Sequence, residues 1–105
     1  MAIVGFKMKL KTGFKEVYKK RHDEIWPELK RTLKNAGVID YAIFFDEETE
    51  TLFGYQKVDK NYSKNNLKES YIVKKWWEFM ADIMQVNPDN SPVVFSLDEV
   101  FWLSS

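Results

Sequence analysis

The chain has 105 residues, of which 45% are hydrophobic, so the sequence predicts one folded domain, residues 1–105, rather than a disordered chain. Sixteen Lys and Arg residues balance sixteen Asp and Glu residues, which argues against nucleic acid as the main partner. The lack of cysteine excludes disulfides and thiolate catalysis. The single histidine excludes a multi-histidine metal site within one chain. No apolar run approaches the length of a membrane span and the first residues lack a signal-peptide pattern, so we expect a cytoplasmic protein without membrane contact.

The first half of the chain predicts a strand, a long helix and a hairpin. Apolar and polar residues alternate over 4–10, which is typical of a strand. Helical spacing of apolar residues follows over 14–36, and Gly37 is a suitable terminator. Pro27 lies inside this run and should kink the helix or restart it just after Trp26. Two β-rich runs, 38–46 and 51–58, are joined by four polar residues and predict a hairpin.

The second half predicts a helix and a final strand. Residues 59–70 are polar and indicate a loop with at most a weak helix. Residues 71–84 carry apolar side chains at helical spacing, and the Asn-Pro-Asp-Asn-Ser-Pro run at 87–92 ends that helix. A strand over 93–103 completes the order strand, helix, strand, strand, helix, strand. This order predicts an α+β fold, the ferredoxin-like split βαβ sandwich with both helices on one face of an antiparallel sheet.

The second and fourth predicted strands carry apolar residues on both sides. A sheet with one wet face should instead alternate apolar and polar residues. We therefore expect a second copy of the chain to cover the helix-free face, in a two-fold symmetric homodimer with sheets packed face to face. In this arrangement Tyr41 faces the helices, while Ala42 and Phe44 face the partner.

His22 is the only histidine and falls in the apolar stripe of the first helix, one turn after Tyr18. It is either an acid–base group beside a phenol or a core histidine bonded to a carbonyl or carboxylate. Of the tryptophan pair, Trp76 is central to its apolar stripe and is typical of core packing, whereas Trp77 lies at the edge. Tyr41 is either a packing residue of its strand or a ligand-binding residue.

Four segments resemble the L-rhamnose mutarotase family, with matching spacing over nearly the whole chain. They are 21–29 (Arg-His-Asp-Glu-Ile-Trp-Pro-Glu-Leu), 41–43 (Tyr-Ala-Ile), 76–80 (Trp-Trp-Glu-Phe-Met) and 87–92 (Asn-Pro-Asp-Asn-Ser-Pro). The resemblance implies a dimeric α/β barrel built from ferredoxin-like subunits. It also implies an isomerase that interconverts the α and β anomers of L-rhamnose without a cofactor or metal. The chain departs from the family at Lys75, where an arginine usually precedes the tryptophan pair.

The resemblance also implies roles for individual residues. The family's proton donor falls on His22, and its substrate-contacting residues fall on Tyr18, Tyr41, Trp76 and Trp77. We hypothesise that His22 protonates the ring oxygen of the sugar. The base for the anomeric hydroxyl is open between Asp89, a tyrosinate and a bound water.

Two other functions compete with this interpretation. One is a cofactor-free monooxygenase on the same dimeric barrel, which would act on flat, largely apolar substrates; the polar 87–92 loop fits a sugar better. The other is a non-catalytic sugar-binding module, which would bind L-rhamnose without accelerating anomer exchange.

Overall fold

The computed structural model describes residues 2–103 as a four-stranded antiparallel sheet with helices on one face. Across the sheet the second strand of the chain comes first, followed by the third, the first and the fourth, which is the order of the predicted ferredoxin-like fold. In residues 2–103 no helix has the length and apolar character that spanning a membrane requires. The elements are β1 (Ala2–Lys9), α1 (Lys15–Asp23), α2 (Pro27–Asn35), β2 (Val38–Asp46), β3 (Thr51–Val58), α3 (Lys64–Glu69), α4 (Tyr71–Met80) and β4 (Phe95–Leu97).

The predicted helix over 14–36 is in fact two helices, and Pro27 is the reason. Proline is the first residue of α2, and Trp26 before it is extended with ψ 129°, because the residue before proline avoids the helical region. The predicted restart after Trp26 is thus confirmed. Gly37, at φ +106°, follows the end of α2 as predicted. His22 consequently lies in the last turn of α1.

Two boundaries in the second half were predicted wrongly. Helix α4 ends at Met80 rather than at 84, because Lys11 donates its backbone N–H to the carbonyl of Ile83 (2.9 Å) and Met84 bridges Leu10. The last strand spans three residues instead of 93–103, since β4 pairs with β1 only opposite Gly5–Lys7. The apolar residues at 100–103 are exposed and outside any strand.

The core lies between the inner face of the sheet and the helices. Phe6, Met8 and Leu52 come from the sheet, while Leu29 and Met80 come from the helices. The inward side chains follow the two-residue period of each strand. Burial of this layer is the main source of stability, and it also forms the base of the cavity described below.

Gly54 gives a direct test of how closely this core is packed. A Cβ built on Gly54 would lie 2.3 Å from Cζ of Phe6, so the Phe6 ring rests on the glycine backbone. We expect Gly54→Ala to lower the free energy of unfolding by about 1–3 kcal/mol, because the ring must move within a packed layer. Gly5→Ala is the matched control, since its Cβ would only touch Leu97 at 3.7 Å. Urea denaturation measures both; equal midpoints for the two variants would contradict the prediction.

Candidate active site

A cavity of about 940 Å³ opens between the inner face of the sheet and the helices. This volume is at the upper end of the range that small-molecule sites occupy. All five site residues predicted from the sequence line this cavity: Tyr18, His22, Tyr41, Trp76 and Trp77. They come from three different elements, α1, β2 and α4. Apolar side chains of the sheet and of α2 line much of the rest, including Ile43, Phe45, Leu29 and Leu33.

The His22 imidazole is held by its own helix and by two rings. Its Nδ1 lies 3.0 Å from the backbone carbonyl of Tyr18, which can only accept, so Nδ1 carries the hydrogen. The imidazole stacks on the Tyr18 ring with centroids 4.1 Å apart and meets Trp76 edge-on at 5.3 Å. The other nitrogen, Nε2, is thereby left as the one able to exchange a proton with a ligand.

Burial favours the uncharged forms of three groups in the cavity, His22, Tyr18 and Tyr41. Burial lowers the pKa of His22 below its ordinary value of 6.5, although the bond to Tyr18 acts in the opposite direction. Burial raises the pKa of Tyr18 far above 10, and it raises the pKa of Tyr41 to about 12. Tyr41 lines the cavity, although 40% of the residue is accessible to water.

Trp76 and Trp77 differ in burial, as their helical positions predicted. Trp76 is 9% exposed. It meets the Trp26 ring edge-on with centroids 5.1 Å apart, and it is tilted against the Phe79 ring with centroids 5.7 Å apart. Trp77 is half-buried and lines the cavity without belonging to this aromatic cluster. Trp76 is therefore both a core residue and a wall of the site, whereas Trp77 has a surface available for a ligand.

Arg21 ties the helix that carries His22 to the end of α4, a role that the sequence analysis did not assign. Its Nη1 donates to the carbonyl of Phe79 (2.9 Å) and to Asp82 (2.8 Å), while Nη2 donates to the other carboxylate oxygen at 3.2 Å. The guanidinium also lies 4.5 Å from the Phe79 ring centroid. These contacts fix the separation between His22 and Trp76. The partners are about sixty residues apart, so no local pattern indicates the pair.

The 87–92 loop forms part of the rim, but Asp89 does not line the cavity. Asn87, Asn90 and Ser91 line it, so the loop offers amide and hydroxyl groups there. The Asp89 carboxylate instead accepts from the backbone N–H and hydroxyl of Ser91, which lowers its pKa. Asp89 as the base for the anomeric hydroxyl is therefore a prediction that this geometry does not favour.

Two further uncharged polar residues, Gln56 and Tyr62, line the cavity and were missed from the sequence. Gln56 sits at an inward position of β3, so strand alternation could have identified it as a polar group facing the core. Tyr62 follows β3 in the polar 59–70 segment, where no periodic pattern distinguishes it. Both lie near Tyr41: Gln56 lowers the pKa of Tyr41, and Tyr62 raises it.

Comparison with known proteins places this geometry in a family. A sequence model described as L-rhamnose mutarotase matches residues 3–103. The chain belongs to the L-rhamnose mutarotase family. An L-rhamnose mutarotase of Formosa agariphila is 59% identical over 98% of this chain and 99% of its own length. The crystal structure of L-rhamnose mutarotase FA22100 from the same organism, 58% identical, superposes with a TM-score of 0.92 over 99% of this chain and 100% of that one.

More distant structures share only the fold. A presumed antibiotic biosynthesis monooxygenase from Nitrosomonas europaea is 13% identical, with a TM-score of 0.57 over 96% of this chain and 100% of its own. At this identity the likeness extends to the ferredoxin-like architecture and not to the chemistry. The mutarotase family predicted from the four segments is confirmed, while the monooxygenase alternative has fold similarity alone.

The lowered pKa of His22 predicts how stability changes with pH. The unfolded chain binds the proton near pH 6.5, whereas the folded chain binds it only at lower pH. The free energy of unfolding should therefore fall as pH decreases through 6.5 and level off below the folded pKa. His22→Gln should remove this component, so the difference between parent and variant isolates it from the carboxylates. Urea denaturation at pH 5 to 8 measures it; a difference that stays constant with pH would contradict the prediction.

Proposed function

We propose that this protein catalyses exchange between the α and β anomers of L-rhamnose, with His22 as the proton donor and Tyr18, Tyr41, Trp76 and Trp77 as substrate-binding residues. The observation that carries this proposal is the imidazole with Nδ1 bound to its own helix and Nε2 left for a ligand, in a cavity that two phenols and two indoles also line. Acid–base chemistry at a sugar needs such a group, and membership of the mutarotase family supports it.

The reaction needs only proton transfers. The protonated form of His22, a minority at pH 7 because burial lowers its pKa, donates from Nε2 to the ring oxygen. The bond between C1 and that oxygen breaks as the anomeric hydroxyl gives its proton to water. The open chain then holds an aldehyde at C1 and a new hydroxyl. Rotation about C1–C2 presents the other face of the aldehyde. On reclosure the hydroxyl attacks C1, its proton returns to Nε2, and the carbonyl oxygen regains a proton from water.

Water is our preferred acceptor for the anomeric proton. A tyrosinate is disfavoured, since the raised pKa values of Tyr18 and Tyr41 keep both phenols neutral at pH 7. Asp89 is held by Ser91 away from the cavity lining. Neutral phenols remain suited to orienting hydroxyls, since each can donate one hydrogen bond and accept others.

The apolar edge of the sugar has a complementary surface in the site. L-rhamnose carries a methyl group at C5, and Trp77 offers an indole in the cavity wall for stacking against that side. Stacking and hydroxyl contacts position the ring oxygen at Nε2, and correct positioning is itself a large part of catalysis.

Saturation-transfer NMR on L-rhamnose tests the function directly. We expect the protein to accelerate exchange between the two anomeric C1 proton signals in proportion to its concentration. Binding without acceleration would instead indicate the sugar-binding module. Polarimetry after dissolving one pure anomer provides an independent rate. No acceleration in either measurement would overturn the proposal.

We further propose that the protein works as a homodimer with sheets packed face to face, as a dimeric α/β barrel. Two cross-strand rows on the helix-free face support this, one through Phe44, Phe53, Lys7 and Phe95 and one through Ala42, Tyr55, Gly5 and Leu97. Phe44 is 67% exposed in the single chain, and the apolar residues of 100–103 are exposed too. Apolar surface of this extent is typical of a protein interface. The single domain and the cytoplasmic location stay predictions from the sequence.

A charge on this helix-free face should separate the copies. We expect the parent to sediment as a dimer at micromolar concentration and Phe44→Asp to sediment as a monomer, because a buried carboxylate without a partner opposes association. Glu48→Gln, in the exposed β2–β3 turn, is a control that should stay dimeric. A monomeric parent would contradict the proposed assembly.

A further inference from the structure

Gln56 is a buried polar side chain of the cavity lining that the proposed reaction does not use. It is 8% exposed and lies on the inner face of β3, the central position between β1 and β2. Its inward neighbours along β3 are Leu52, Gly54 and Val58, which are all apolar. An amide buried among apolar groups costs free energy unless its donors and acceptors are used.

The register of the sheet puts Gln56 beside Tyr41. The two residues are direct cross-strand partners on β3 and β2, and Val4 is the partner of Gln56 on β1. Side chains in such pairs are neighbours on the same face, with Cβ atoms about 4.5–5.5 Å apart. Both line the cavity together with His22. The phenol and the amide therefore form one polar patch on a mostly apolar sheet face.

This patch has more hydrogen-bonding capacity than its members can use between themselves. A carboxamide has two N–H donors and an oxygen with two lone pairs, and a phenol adds one donor and further acceptor capacity. A single contact between them leaves donors and acceptors of both groups available toward the cavity. Sugar hydroxyls both donate and accept, so they match this combination.

We propose that Gln56 is a further substrate-binding residue, which binds one sugar hydroxyl beside the hydroxyl bound by Tyr41 and so contributes to sugar specificity. This inference rests on the proposed function. It assigns the sheet side of the cavity to recognition of the hydroxyls, while His22 on α1 acts at the ring oxygen. A site that binds a hydroxyl with a buried polar group discriminates against an analogue that lacks it, because that group then stays unpaired.

The test pairs one substitution with sugars that each lack one hydroxyl. Anomer exchange is measured for L-rhamnose and for its analogues without the hydroxyl at C2, C3 or C4, with the parent and with Gln56→Met. Met has similar length and no hydrogen-bonding amide. We expect kcat/KM for L-rhamnose to fall about tenfold, mainly through KM, and by the same factor for two of the analogues. For the analogue lacking the hydroxyl bound by Gln56 we expect less than a twofold fall.

Comparing each sugar between parent and variant cancels its intrinsic reactivity, so the pattern reports the contact itself. Equal falls for all four sugars would mean that Gln56 only supports Tyr41 or the sheet, and would overturn the inference, as would no fall at all. Gln56→Leu provides a second apolar variant if Gln56→Met does not fold, as judged by circular dichroism. Gln85→Met is the matched control, because Gln85 is exposed and does not line this cavity. A parent that accelerates no exchange overturns the proposed function itself, which separates the two failures.

Discussion

His22→Asn should reduce the rate of L-rhamnose anomer exchange by about 10²–10⁴-fold while leaving the protein folded. Asparagine keeps an amide that can donate to the Tyr18 carbonyl, but it has no group that exchanges a proton near neutral pH. The imidazole is only part-buried, and the bond from Nδ1 to Tyr18 is its one hydrogen bond in the described chain. Saturation-transfer NMR measures the rate, and thermal unfolding measures the fold. An unchanged rate in a folded variant would remove His22 from the proposed role.

Lys20→Gln is the matched control for this substitution. Lys20 is exposed, lies on the same turn of α1 and does not line the cavity. The pH profile adds a second check. Because the pKa of His22 is below 6.5, an acid role requires kcat/KM to fall as pH rises above that pKa, by up to about tenfold per pH unit. A kcat/KM that rises over the same range would indicate that the imidazole acts as the base.

Periodicity predicted the layers of this fold well, because a buried face repeats along each element. The hairpin boundaries at 38–46 and 51–58 agree with the structure, and Pro27 and Gly37 act where their backbone preferences require. The final strand failed for a physical reason. The residues at 100–103 form a continuous apolar run like that of a strand buried on both sides, but they lie exposed in the single chain. An apolar run does not show which surface covers it.

Some features of the candidate site were likewise predictable from the sequence, and others were not. Tyr18 and His22 were predictable as neighbours because four residues along a helix share one face. The contacts of Arg21 with Phe79 and Asp82 join distant parts of the chain and have no local signal. Gln56 was visible as a polar residue at an inward strand position, but its significance depends on Tyr41 standing opposite it in the sheet. Spacing within an element is thus readable from sequence, whereas register between elements is a property of the folded chain.

Truncation of the two adjacent tryptophans should affect different properties, mainly stability for Trp76 and mainly KM for Trp77. Trp76 is buried and contacts His22, Trp26 and Phe79, so Trp76→Ala should lower the free energy of unfolding by about 3–5 kcal/mol. Trp77 is half-buried and lines the cavity outside this cluster. Trp77→Ala should cost less than half as much stability and should raise KM for L-rhamnose about tenfold, because a stacking surface for the sugar is lost.

Urea denaturation and the concentration dependence of anomer exchange measure the two effects separately. Tyr71→Ala is the control for removing an aromatic ring from α4, since Tyr71 is exposed and does not line the cavity. Both roles follow from one helical geometry, in which successive residues diverge by about 100° and so place one indole in the core and the other, half-buried, in the cavity wall. If Trp77→Ala lost as much stability as Trp76→Ala with an unchanged KM, Trp77 would be a packing residue and the sugar's apolar edge would need another partner.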